Sequence, residues 1–224
     1  MALQQYEVDY RILTDAELNA WRKIPPAVAS DCMNRTQVMT SSIKPISPGK
    51  PICGQARTVT TMVGDCWPIC IMISEARAGE VIVVDAGGAV EIAVWGGIMT
   101  AEAVYRRLGG AVVHGAIRDI TEMREAGFAM YCSAATPKGP HQGFGGVMDG
   151  PAAVGGVPVR SGDIVLGDDD GVVVVPLEMA GTVLAAAQAH LAKEEAWVRE
   201  IKSGAPIPAL FKMKTPDTIL PALK

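Results

Sequence analysis

Apolar and polar positions along this chain recur with two different periods. Residues 55–63 alternate as a strand does, and residues 81–84 and 111–117 are continuous apolar runs, the signature of strands buried on both faces. Residues 92–95 add a short strand. Helical spacing predicts a helix over 15–23 with Thr14 as its N-cap, and a second over 27–34 opened by Pro25 and Pro26. The same spacing predicts helices over 67–76, 99–108 and 120–126. Glycine-dense residues 143–171 read as loop and hairpin, closed by the strand "GVVVVP".

A long alanine-rich helix is expected over 177–202, where Met179, Val183, Ala186, Ala187, Leu191 and Trp197 follow helical spacing loosely. The tail "GAPIPALFKMKTPDTILPALK" holds four prolines and is a poor helix. Its Leu210, Phe211, Ile219 and Leu220 favour a tail laid across a neighbour over a disordered one. Strands alternating with helices predict an α/β protein, and the hairpins of the second half point to a mixed, layered domain rather than a doubly wound sheet.

Composition narrows the function classes. The 224 residues are 49% hydrophobic, enough for one large core, and the net charge of -4 has no basic block to support a nucleic-acid surface. No apolar stretch is long enough to span a membrane, and the N-terminus lacks a signal-peptide pattern, so a soluble cytoplasmic protein is expected. The five cysteines are scattered, with Cys66 and Cys70 alone close together, and read as buried reduced thiols rather than a zinc knuckle. The three histidines make no metal-ligand pair.

Four stretches carry candidate chemistry. In "VVDAGG" the third glycine of a dinucleotide fingerprint is missing and a strand follows, so Gly87 and Gly88 read as turn residues. In "WGGIMTAEA", Gly96 and Gly97 lie between a strand and a helix. They either let a ligand approach the backbone and the free amides of a first helical turn, or simply make a tight turn. In "HGAIRDITE", Arg118 and Asp119 fall at the end of a buried strand, where α/β sites gather. Arginine suits a carboxylate or enolate, aspartate suits a hard cation, and Glu122 shares a helical face with Asp119. Alternatively, Asp119 caps the helix and Arg118 pairs with Glu122. Asp168, Asp169 and Asp170 lack the alternate spacing of a calcium loop and read as a hairpin turn.

Taken in order, "GQARTV", "GEVIVVDAGG", "AVWGGIMTAEA", "GGAVVHGAIRDITE" and "VRSGDIVLGDDDGVVVVP" resemble the RraA-like family across residues 50–176. That family includes class II pyruvate aldolases of the 4-hydroxy-4-methyl-2-oxoglutarate and 4-carboxy-4-hydroxy-2-oxoadipate type, and regulators of ribonuclease E. The resemblance implies a layered β/β/α swivelling-domain fold over residues 1–176, with 177–224 serving as C-terminal helix and oligomerisation tail of a homotrimer or homohexamer.

It also implies a site. In the aldolases the aspartate of the Arg-Asp pair, here Asp119, binds Mg²⁺ or Mn²⁺. The arginine, here Arg118, contacts the keto-acid oxygen, and the backbone amides of Gly96, Gly97, Ile98 and Met99 hold the substrate carboxylate. Several aldolases carry an aspartate where this chain has Gly97, so Glu122 is the candidate to supply the missing carboxylate through water. Ribonuclease regulators tend to lack the aspartate of the pair, which favours a lyase acting on small 2-oxo acids, including oxaloacetate decarboxylation. The alternative is a non-catalytic regulator binding a protein partner.

Overall fold

The computed structural model describes residues 2–220 and 222. Strand β1 (Leu3–Gln5) is followed by helices α1 (Asp15–Trp21) and α2 (Pro26–Cys32), then β2 (Lys44–Pro45) and β3 (Ile52–Thr61). The expected cap is present. Thr14 accepts from the Glu17 amide, and the Glu17 carboxylate accepts from the Thr14 amide, closing a capping box. The chain continues through α3 (Trp67–Glu75), β4 (Val81–Asp85), β5 (Ala93–Trp95), α4 (Gly97–Tyr105), β6 (Gly110–Ile117), α5 (Ile120–Glu125) and β7 (Met130–Ala135).

Short strands β8 (Gly146–Met148), β9 (Ala152–Val154) and β10 (Val157–Val159) precede the hairpin β11 (Ile164–Asp168) and β12 (Gly171–Val175). At the hairpin's tip the Asp170 amide donates to the Asp168 carboxylate at 3.0 Å, so the aspartate run is a turn, as its spacing implies. The long helix opens with a 3-10 turn (Leu177–Met179) and becomes α-helical as α6 (Ala180–Lys202). The tail forms one helical turn, α7 (Ile207–Leu210), where no helix was expected, because Pro206 and Pro208 sit at its start, where proline is tolerated.

Strands β3, β4, β6 and β7 run parallel, flanked by β8 and β1 on one side and β2 on the other. The ten-residue β3 serves two layers. Its second half pairs with β4 and β8, while its first half pairs antiparallel with β11. This is why the sheet is mixed rather than doubly wound.

Three apolar layers follow from side-chain alternation. On β4, Ile82 and Val84 face α3, α4 and α5, whereas Val81 and Val83 face the β9–β12 strands. On β12, Val172 and Val174 face the main sheet, whereas Val173 and Val175 meet α1, α2 and the first half of α6. Strands sandwiched in this way have no solvent face, so their sequence is unbroken valine and isoleucine. Each such buried side chain contributes roughly 1.5–3 kcal/mol. The result is a layered α/β fold with a long C-terminal helix, and it puts the carboxyl ends of β5, β6 and β7 side by side.

Among the described residues no helix is long and apolar enough to cross a membrane.

Candidate active site

Two strand-to-helix junctions make the site. At the first, β5 ends at Trp95 and α4 begins at Gly97. The Trp95 indole donates to Thr100 Oγ1 at 2.9 Å, and the Thr100 amide and hydroxyl both donate to the Gly96 carbonyl, fixing the turn from below. At the second, β6 ends at Ile117, and the Arg118 amide donates to the Trp95 carbonyl at 3.0 Å, locking the junctions together. The register of β6 against β7 shifts between Val113 and Ala116, which tilts the end of β6 out of the regular ladder.

Asp119 has φ +63, a left-handed conformation that aspartate tolerates better than most residues. That turn directs its carboxylate across the gap and not onto its own helix. The Gly97 amide donates to Asp119 Oδ2 at 2.9 Å, and Asp119 makes no capping bond to α5. The capping alternative for Asp119 is therefore not what the fold uses. Nor does Arg118 pair with Glu122. Its Nε lies 3.6 Å from Asp119 Oδ2, and this buried nitrogen has no hydrogen-bond partner among the described residues.

Gly96 and Gly97 are required by close approach. A Cβ on Gly96 would lie 2.7 Å from Asp119 Oδ2 and 3.2 Å from Arg118 Nε, and one on Gly97 would run into Glu122 Oε2. Neither glycine has a positive φ. What approaches the backbone is thus the chain's own charged cluster.

The seven residues singled out from the sequence, Gly96, Gly97, Ile98, Met99, Arg118, Asp119 and Glu122, come together at these junctions. Of the amides expected to meet an anion, that of Gly97 is taken by Asp119. Those of Ile98 and Met99 lie in the first turn of α4, where a helix offers no internal acceptor. A cavity of about 350 Å³ next to the Arg-Asp pair is lined by Arg118, Asp119, Ile120, Ala135, Thr136 and Pro137.

One wall was not foreseen. The loop after β7 returns Gly139 so close to the guanidinium that a Cβ there would stand 2.6 Å from Arg118 Nη1. The "KGP" at 138–140 signals a turn, but nothing in it specifies the partner. A larger hollow of about 460 Å³ lies at the opposite ends of the strands, lined by Trp21, Arg22, Lys23, Cys53 and Asp168 among others. Sites of parallel sheets form at the carboxyl ends of the strands, and the charged cluster is there too.

"DAGG" is the turn it was expected to be. Gly87 and Gly88 both have φ +68, and the Gly87 amide donates to Asp85 Oδ1 at 2.9 Å.

Comparison with known proteins bears on the identity of this arrangement. A Halalkalibacterium halodurans protein named as a candidate 4-hydroxy-4-methyl-2-oxoglutarate aldolase is 34% identical over 199 residues, covering 89% of this chain and 91% of the relative. The 4-hydroxy-4-methyl-2-oxoglutarate aldolase of Thermus thermophilus is 38% identical over 110 residues, covering 49% of this chain and 67% of that protein. Among solved structures, Streptomyces coelicolor RraAS2, described as an unusual member of the ribonuclease ES inhibitor RraA protein family, superimposes with a TM-score of 0.76. It is 27% identical, and the match covers 85% of this chain and all of that one. The family model described as RraA-like, Aldolase/RraA, matches residues 23–174, the span that contains both junctions, and the chain belongs to this RraA-like family.

Proposed function

We propose that the protein is a divalent-metal-dependent lyase that cleaves 4-hydroxy-2-oxo acids to pyruvate and decarboxylates oxaloacetate at the same site. The observation that carries this is the charged cluster itself. A guanidinium whose Nε has no partner among the described residues and a carboxylate line a cavity of about 350 Å³. The Gly97 amide that binds this carboxylate opens a helix whose next two amides have no internal acceptor. The aldolase names of its relatives support the reading.

The donor chemistry fits Mg²⁺ or Mn²⁺. Asp119 and Glu122 offer carboxylate oxygens, the hard ligands these ions prefer. Among the described residues no group of three or more His, Cys, Asp or Glu side chains is placed to hold a metal. Two carboxylates suit Mg²⁺, which is commonly held by one or two carboxylates and completes its shell with water and substrate oxygens. When bound, the ion would supply Lewis-acid polarisation of the 2-oxo group.

The remaining work falls to the chain. The amides of Ile98 and Met99 receive the substrate carboxylate at the positive end of α4. Arg118 directs its fork at the keto oxygen, where negative charge grows as the C3–C4 bond breaks and an enolate forms. Glu122, directly or through water, takes the C4 hydroxyl proton that retro-aldol cleavage releases. Oxaloacetate loses carbon dioxide to the same enolate with no such proton to remove. The active unit is a homotrimer or homohexamer.

The test is pyruvate release from 4-hydroxy-4-methyl-2-oxoglutarate during a titration with Mg²⁺ or Mn²⁺. The expected result is turnover that rises with the ion and disappears in excess chelator. No pyruvate at any metal concentration would overturn the reading and favour a non-catalytic regulator of ribonuclease activity that binds a protein partner; the Streptomyces neighbour is described as a member of a ribonuclease ES inhibitor family.

A further inference from the structure

Cys66 and Cys70 form a close thiol pair at the start of α3. Cys66 is the N-cap residue and Cys70 stands one turn on, with its amide donating to the Cys66 carbonyl at 3.0 Å. Both are free thiols, Cys66 buried and Cys70 half-buried, and each is the group that acts most strongly on the other's titration. Four residues of helical rise separate the Cα atoms by about 6 Å, within the roughly 4.4–6.8 Å of a disulfide. Residues so spaced hold their Cβ atoms about 5–6 Å apart, however, and a disulfide needs about 3.5–4.5 Å, so closure must move the turn that carries Cys66.

The pair is tied to the site through one loop. The Cys66 amide donates to the His141 carbonyl at 3.2 Å, and the His141 amide donates to the Gly64 carbonyl at 2.7 Å. Asp65, fully buried, accepts from the Gly145 amide at 2.7 Å and from the Trp67 amide at 2.9 Å. Two residues before His141, Gly139 lies against the Arg118 guanidinium. Residues 139–145 are therefore held at one end by the turn carrying Cys66 and at the other press on Arg118.

We propose that Cys66 and Cys70 are a redox-active dithiol that hydrogen peroxide closes to an intramolecular disulfide, and that closure loosens the 139–145 loop over Arg118. The neighbouring Cys70 thiol outweighs burial and holds the Cys66 thiol below its usual value, while Cys66 and burial push Cys70 up. Cys66 is thus the nucleophile, since the thiolate is the reactive form. It attacks one peroxide oxygen, the O–O bond breaks, and hydroxide leaves a sulfenic acid on Cys66. The Cys70 sulfur then attacks the Cys66 sulfur, an S–S bond forms, and the Cys70 proton departs with the sulfenic oxygen as water. Two thiols are oxidised and one peroxide is reduced to two waters. Drawing Cys66 toward Cys70 shifts the turn whose amide holds the His141 carbonyl, and the loop loses that bond.

The effect on turnover rests on the lyase reading, whereas disulfide and loop are read independently of it. The full-length protein is treated with hydrogen peroxide, then mapped by mass spectrometry and followed by hydrogen–deuterium exchange. The expected map links Cys66 to Cys70 with the loss of two hydrogens, and exchange rises within 139–145. Pyruvate release falls at least about tenfold, and dithiothreitol restores all three. Cys70→Ser should show neither the link nor the reversible loss. Unlinked thiols, under peroxide that fully oxidises a free dithiol, would overturn the redox pair. A link with unchanged exchange would overturn the loop coupling. Absence of turnover in the reduced protein would count against the lyase reading alone.

Discussion

Glu122 stands where a side chain on residue 97 would begin: a Cβ added to Gly97 would run into Glu122 Oε2. The two positions thus share one volume, and a carboxylate can reach it from either α4 or α5. Glu122→Ala should lower retro-aldol cleavage by roughly 10²-fold, the smaller end of what general-base help supplies. Decarboxylation of oxaloacetate, which needs no proton taken from a hydroxyl, should fall far less. Adding Gly97→Asp to that variant should restore aldol cleavage, since Gly97 lacks a positive φ and the vacated space admits the aspartate. Steady-state rates on both substrates check this. Equal losses on the two substrates, or no rescue, would remove Glu122 from proton transfer.

Arg118→Lys preserves charge and removes the planar fork, including the buried Nε that has no partner among the described residues. A fall in kcat of at least roughly tenfold is expected, about 1.4 kcal/mol of transition-state stabilisation. KM should change less, because the enolate oxygen carries its charge only as the bond breaks. Unchanged kcat would reduce Arg118 to a partner of Asp119.

The buried strands and the charged pair were legible in the sequence for one physical reason: burial on both faces of β4 and β6 leaves unbroken apolar runs, and a charged pair ending such a run stands out. Strand β7 was missed because "MYCSAA" mixes small and polar residues and has no clean alternation. Strands β1 and β2 were missed because "LQQ" carries no apolar face and "KP" is only two residues. Within the site, residue types were legible but directions were not. That Asp119 would turn left-handed and take the Gly97 amide, and that Gly139 would wall Arg118, depends on contacts 22 and 21 residues apart in sequence. Local propensity does not encode such contacts.

Asp149 anchors a buried ionic network that pattern reading also missed. Arg57 donates Nε and Nη2 to its two oxygens, each at 2.7 Å, and Ser161 donates a third bond at 2.7 Å. Burial pushes the Asp149 carboxyl up, but the bonds and charge of Arg57, with Ser161 and Gln5, outweigh it and hold the group below its ordinary value. A depressed folded-state value means that the contribution is complete above the unfolded carboxylate value of about 3.9 and is lost as pH falls through the folded value. Asp149→Asn, which keeps a residue tolerant of the φ of +57 there, should cost about 3 kcal/mol at neutral pH. The difference from the unaltered protein should shrink in acid below the folded value. Urea unfolding at matched protomer concentration measures both. A cost that is independent of pH would show that the charge of Asp149 is not what stabilises the network.

The last prediction concerns the tail. Ala180, Val183 and Ala187 seat the first half of α6 in the core, but the helix runs on to Lys202 with Val198 and Ile201 exposed. The tail, expected to lie across a neighbour, also touches its own helix. Phe211 meets the Trp197 ring edge-on at 4.9 Å, and Trp197 meets His190 at 6.0 Å. One tail residue is thus held by its own helix, yet Ile207, Phe211, Met213, Ile219 and Leu220 remain exposed alongside it. Apolar residues gathered in this way on one extension are uncommon on a monomer, and a second copy of the chain would cover them. Light scattering at micromolar concentration should therefore give a multiple of the 23.5 kDa protomer. Truncation after Gly204 should lower that mass while leaving the far-ultraviolet spectrum of the body intact, because the core cluster seating α6 ends at Leu191. A monomeric full-length chain would sink the prediction. So would a truncated chain of unaltered assembly, since the contact would then lie elsewhere on the body and the exposed tail would need a different partner.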